Sequence, residues 1–189
     1  MKGADRQKDA KLLRTVRKIH RTTGIFLFAF FAIVAISGVL LGWKKHSGDL
    51  LLPQSRKGSS TKLVDWLPLD SLANLAGTIL HEQVDPKLSL AIDRIDVRQS
   101  KGMVKVVYAD HYWGIQLDGS TGELLNIGHR RSDLIENIHD GSIIDHYLGT
   151  KGWIKLFYTT TMGLALLSFT ITGFWLWYGP KRMRRRSSK

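Results

Sequence analysis

Two apolar stretches, each bordered on one side by a block of positive charge, limit what this chain can fold into. The first runs over residues 24–43 (GIFLFAFFAIVAISGVLLGW) and the second over residues 153–178 (WIKLFYTTTMGLALLSFTITGFWLWY). Neither contains an acidic residue, and Lys155 is the only basic one. A helix rising ~1.5 Å per residue needs about twenty residues to cross ~30 Å of hydrocarbon, and each stretch supplies them. The expectation is an α+β membrane protein with two transmembrane helices and a small folded domain between them.

The formal net charge of +12 is concentrated at the ends. Residues 1–23 carry eight Lys/Arg against Asp5 and Asp9, and the segment after Tyr178 carries six and no acid. Residues 44–152 hold 13 basic and 14 acidic side chains and are nearly neutral. The positive-inside rule then puts both termini in the cytoplasm and the middle domain on the outer side. Basic blocks that abut apolar spans set topology and meet anionic headgroups, so the partner they imply is the lipid bilayer and no nucleic acid. The first span is too long for a signal-peptide core, and no small-residue cleavage pattern follows it, so it reads as an uncleaved anchor. The expected boundaries are a cytoplasmic basic segment 1–19, transmembrane helix 20–44, outer domain 45–150, transmembrane helix 151–179 and basic tail 180–189. Gly179-Pro180 reads as the stop of the second helix.

Trp43, Trp153, Trp175, Trp177 and Tyr178 sit at the span ends, where amphipathic rings favour the headgroup layer. Gly24, Ser37, Gly38 and Gly42 in one span, and Thr161, Gly163, Ala165, Thr172 and Gly173 in the other, allow close helix contact. A homodimer or a larger membrane complex would turn two helices into a bundle. Ile36-Ser37-Gly38 and Ile171-Thr172-Gly173 are faintly alike, and in spans of opposite direction such a likeness is an inverted repeat.

Between the spans, residues 45–68 are rich in Lys, Ser, Gly and Pro and read as a linker, or a pair of strands at most. Leu69, Leu72, Leu75, Ala76, Ile79 and Leu80 recur at helical spacing and predict a helix over 69–82 that Asp85-Pro86 ends. Four strands follow, over 92–98, 103–109, 112–117 and 123–128, with a hairpin tip at Lys101-Gly102 and a turn at 118–122 that needs positive φ at Gly122. Residues 132–148 read as one helix with Ser132 as its cap. Cysteine is absent, which excludes disulfides and thiolate chemistry. No GxSxG, HExxH, phosphate-binding glycine loop or dinucleotide fingerprint occurs. Whether the protein is an enzyme stays open at this point.

The quoted pieces together resemble a known family. Residues 18–24 (KIHRTTG), 37–41 (SGVLL), 112–118 (YWGIQLD), 121–125 (TGELL), 138–141 (IHDG) and 172–177 (TGFWLW) resemble the PepSY-associated transmembrane proteins, with the outer part similar to a PepSY domain. Larger relatives include iron-regulated membrane proteins and ferrisiderophore reductases, which have four or more spans and bind b-type haem through histidines. PepSY domains elsewhere accompany secreted peptidases as inhibitory modules. The resemblance thus implies a haem-binding or accessory component of iron assimilation or transmembrane electron transfer. The alternative it implies is a non-catalytic tethered module that binds or restrains a periplasmic protein or peptidase. A scaffolding subunit of a transporter is a third reading.

Histidine is the side chain that could hold such a group. His20 lies at the inner edge of the first span and His46 just past its outer edge, ~39 Å away along a continuous helix. His139 and His146 precede the second span and, on one helix, would share a face ~10.5 Å apart. Haem iron takes two axial ligands from opposite sides, so a pair must come from different helices or different subunits. His20 and His139 match the family pattern and are the expected ligands of haem b iron; His146 and His46 are added by location. The structural alternatives are an interfacial polar residue for His20 and a turn residue for His139. His81, His111 and His129 read as structural residues of the outer domain, and Asp140 and Asp145 as acids that could orient an imidazole.

Overall fold

The structure is a computed structural model that describes the backbone of residues 2–187 and the side chains of residues 7–185. The expected charges at Lys2, Arg6, Arg186 and Lys189 lie outside the described side chains. The elements in order are α1 (Lys2–Trp43), α2 (Leu69–Gln83), β1 (Ile92–Arg98), β2 (Met103–Tyr108), β3 (Trp113–Asp118), β4 (Leu124–His129), α3 (Arg131–His139), α4 (Ser142–Leu148) and α5 (Trp153–Ser187). The chain divides into two compact units. One comprises the residues up to Ser37 and those from Ile138 onward; the other is Gly38–Asn137.

The sheet unit is an antiparallel meander in the order β1-β2-β3-β4. Side chains alternate across its two faces, as period-two strands require. Val104, Val106, Tyr108, Ile115 and Leu117 form one face and pack on Leu72, Ala76 and Leu80 of α2 to make a fully buried core. Trp66, Leu67, Ile79, Val84, Leu88, Ile95, Leu124 and Ile127 close its rim.

The opposite face is polar and covered. Register places Asp96, Lys105, Gln116 and Asn126 in one row across the four strands. An extended strap over residues 51–60 satisfies Lys105, Gln116 and Asn126 of this row, while Asp96 lies beside Arg94 and Arg98. Gln116 donates to the Gln54 carbonyl at 2.9 Å and accepts from the Arg56 amide at 3.2 Å. Asn126 donates to that same carbonyl at 3.0 Å, and Lys105 Nζ lies 3.5 Å from Ser55 Oγ. Asp118 accepts from the Ser59 amide and hydroxyl at 2.7 and 3.1 Å. The strap fits because glycine stands where it crosses backbone. A Cβ on Gly58 would fall 2.0 Å from the Gly102 carbonyl oxygen. Beside the strap, Arg130 lies over Gly114, where a Cβ would meet its Cδ at 2.8 Å, and forks onto Asp133 at 2.8 and 3.1 Å. Asp133 also takes Arg94 at 2.9 Å. Burial opposes ionisation of Asp133, but the bonds from Arg130 and Arg94 outweigh it and hold its carboxyl below the usual range.

The second unit is built on two long helices. α1 and α5 run antiparallel, as the contacts Leu13–Gly179, His20–Thr172 and Phe31–Phe169 show. Both are long and apolar enough to cross a membrane over Gln7–His46 and Trp153–Arg185. Their apolar side chains face outward: Ile25 is 77% exposed, Phe26 76% and Phe157 73%. That surface is stable only against hydrocarbon.

The structure corrects two expectations, and it shows α1 running as one helix through the basic N-terminal segment. Gly179-Pro180 does not stop α5, which continues to Ser187. Proline removes one amide and crowds the residue before it, but Gly179 has no Cβ to clash, and it packs against Leu13. Residues 132–148 are two helices, not one: Gly141 adopts φ +77 between α3 and α4, and Ser132 lies buried inside α3 and is not its cap. The break cancels the argument that His139 and His146 share a helix face.

Candidate functional site

His20 projects from α1 toward α5. Its Nδ1 lies 2.8 Å from Thr172 Oγ1, and its ring packs against Phe169 with centroids 4.4 Å apart. Gly24 makes the approach feasible: a Cβ there would come within 3.1 Å of the Phe169 ring, whereas one on Gly173 would meet His20 Cε1 at an ordinary 3.8 Å. Beside the imidazole lies an open groove of about 430 Å³ lined by His20, Arg21, Gly24, Ile25, Phe28 and Phe169. Its walls are apolar except for one imidazole and one guanidinium.

His139 ends α3, and its Nδ1 lies 2.9 Å from Ser37 Oγ of α1. Ser37 is itself buried. The same arrangement therefore occurs twice: an imidazole from one half of the chain on a hydroxyl from the other half. The two hydroxyls belong to the Ile-Ser-Gly and Ile-Thr-Gly repeats noted above. Seventeen residues of α1 separate His20 from Ser37, ~25 Å along the axis. The exchange of bonds between repeats escaped the sequence. Its signal was present in the two Ile-His pairs, 19–20 and 138–139, that complement the two Ile-Ser/Thr-Gly triplets.

The segment beyond His139 is firmly tied. Asp140 pairs with Lys155 at 2.5 Å and accepts the Ser142 amide at 2.9 Å. Asp145 accepts the Gly152 and Ile154 amides at 3.1 Å each, the Lys155 amide at 2.6 Å, and the Thr150 hydroxyl. The three amides are orphan donors at the start of α5, so Asp145 caps that helix from seven or more residues away. Burial works against both carboxylates, yet their hydrogen bonds hold both below the ordinary Asp value. Asp140 and Asp145 thus spend their oxygens on Lys155 and the start of α5, not on an imidazole.

The other histidines are placed differently. His146 lies in α4, edge-on to Tyr147, and His46 lies in a 3-10 turn over Lys44–His46; among the described residues neither ring has a hydrogen-bond partner. In the sheet unit His81 reaches the Leu88 carbonyl and His111 the Ser89 carbonyl, each at 2.9 Å. His129 packs edge-on to Trp113, and burial, followed by Arg131 and His111, lowers its pKa. Among the described residues no three His, Asp or Glu side chains converge on a point that could hold a bare metal ion.

The chain from residue 17 to residue 189 matches a family described as the PepSY-associated TM region. No curated protein matches it.

Proposed function

Because the chain belongs to the PepSY-associated TM region family, we propose that it is a bacterial inner-membrane protein that holds b-type haem at His20 and His139. In this reading it serves iron assimilation or transmembrane electron transfer, with its basic ends in the cytosol and its sheet unit in the periplasm. One observation carries the proposal: two imidazoles, ~25 Å apart along α1, are each anchored through Nδ1 in a helix pair, which leaves Nε2 for a ligand. Haem b, when bound, supplies a one-electron ferric–ferrous couple. The residues fit the group. Imidazole is a common axial ligand, Gly24 and Gly173 leave room beside the ring, Phe28 and Phe169 offer apolar cover, and Arg21 matches a propionate.

One chain offers one anchored imidazole at each end. A second copy would supply its equivalent, giving four helices and two paired ligand sets. The assembled protein would then carry iron at both edges of the bilayer, with ferric iron outside as a suitable acceptor. His146 and His46 are the reserve ligands on the outer side.

The test is direct. Full-length protein purified in mild detergent from haem-replete cells should be red, with a Soret band. His20→Ala and His139→Ala should each remove about half of it, and cross-linking in membranes should trap a dimer. A colourless preparation would favour the second reading, a tethered module that binds a periplasmic protein or peptidase. The observation behind that reading is the meander itself, whose outer strands β1 and β4 pair on one side only. An outward-only reporter should be active when inserted near Ser59 and silent at Lys189.

A further inference from the structure

We infer that Thr172 and Ser37 are positioning residues that fix His20 and His139 as Nδ1-protonated tautomers, each presenting Nε2 as a bare lone pair. A hydroxyl owns one proton. Ser37 Oγ lies 2.6 Å from the Ile33 carbonyl and 3.2 Å from that of Val34. Thr172 Oγ1 lies 2.7 Å from the Ser168 carbonyl and 3.2 Å from that of Phe169. Carbonyl oxygen only accepts, and two oxygens at 2.6–2.7 Å with no proton between them repel. Each hydroxyl proton is therefore committed to its own helix backbone, the habitual bond of Ser and Thr inside helices. Only lone pairs remain on the hydroxyl oxygen, so the histidine nitrogen at 2.8 or 2.9 Å must donate. With Nδ1 carrying the proton, a neutral ring has its lone pair on Nε2.

The same count holds at both places, and the two halves of the chain exchange roles. His20 of the first half meets Thr172 of the second, and His139 of the second meets Ser37 of the first. A neutral hydroxyl acceptor fixes the ring plane and adds basicity to Nε2 without adding charge, which suits a ligand embedded in lipid. What the lone pair binds rests on the haem reading; the tautomer does not.

The experiment is side-chain ¹⁵N–¹H correlation on full-length, histidine-labelled protein in nanodiscs, with His20→Gln and His139→Gln to assign the signals. Two rings should show protonated Nδ1 and pyridine-like Nε2. Ser37→Ala should release only His139, Thr172→Val only His20, into the Nε2–H form that free imidazole prefers. Ser37→Thr and Thr172→Ser should keep the native pattern. A wild-type ring with its proton on Nε2, or one that stays Nδ1–H in Ser37→Ala or Thr172→Val, would overturn the inference. In haem-loaded protein, Ser37→Ala should raise one midpoint potential at unchanged haem content, and an unmoved potential would refute any effect of the hydroxyl on the iron. Colourless wild-type protein with locked tautomers would end the haem reading alone; protein that is red when loaded but shows mixed tautomers when haem-free would end this inference alone.

Discussion

The sheet unit and the helix pair solve the problem of buried polar groups in opposite ways. The sheet unit has two covered faces. One is an apolar core against α2, the other a polar row in which the strap satisfies Lys105, Gln116 and Asn126 bond by bond. The helix pair turns most of its apolar side chains outward, and two imidazole–hydroxyl pairs link one span to the other half of the chain. The sheet unit draws its stability from water, as an ordinary domain does. The helix pair takes its own from the bilayer, and its few internal polar contacts are free to be specialised.

If that contrast is right, equal substitutions should have unequal effects. The largest difference is expected for leucine truncation. Leu72→Ala empties a fully buried site and should destabilise the sheet unit by about 3 kcal/mol, whereas Leu164→Ala, 60% exposed on α5, should change little in lipid. Hydrogen exchange on the reconstituted chain would read both; equal losses would break the comparison. Next comes the strap. Gly58→Val puts a side chain into the Gly102 carbonyl and should cost about 2 kcal/mol, with the amide of Ser59 losing protection while α5 amides keep theirs.

A smaller effect of opposite sign is expected at Lys105. Burial first, then Arg130 and Arg98, lowers its amine from 10.5 to about 8. Below pH 8 both folded and unfolded chains carry the charge and the penalty is complete. Between 8 and 10.5 the unfolded chain binds more protons, so stability rises with pH, and above 10.5 the penalty is gone. Lys105→Met should stabilise the sheet unit by about 1 kcal/mol at neutral pH and flatten that alkaline rise in denaturant titrations.

The smallest effect is on the acid side. Asp133 in the sheet unit, and Asp140 and Asp145 at the start of α5, have lowered pKa values. Their support is complete above the ordinary Asp value of 3.8 and is lost as pH falls below it through their folded values. Asp145→Asn should remove part of that acid loss and fray only the first turn of α5, seen as faster exchange at Ile154 and Lys155.

Much of this was legible in order along the chain. The two spans follow from twenty-residue runs without acids, and α2 from the leucine spacing of 69–80. The four strands follow from β-rich runs between turn residues, with Gly122 at φ +75 where its turn requires it. The strap was not legible. Its sequence is Ser-, Lys- and Gly-rich, and it reads as a linker because its bonds run to partners more than forty residues away. The passage of α5 through Pro180 escapes the sequence for a related reason: local propensity is a weak prior, and the contact of Gly179 with Leu13 overrides it. The break at Gly141 did have a local signal, since glycine takes φ +77 without the cost a Cβ would add.

The candidate site divides along the same line. Composition alone made histidine the residue to examine, since no cysteine exists, and the family pattern singled out His20 and His139. Which atom meets each ring could not be read, because an imidazole at 20 and a hydroxyl at 172 are neighbours only after two spans fold back on each other. Sequence by itself determined the segments, since hydropathy and turn chemistry act over a few residues. The covered polar face, the cap on α5 and the exchange of imidazoles between repeats were decided by tertiary structure, because a hydrogen bond depends on where two distant atoms arrive.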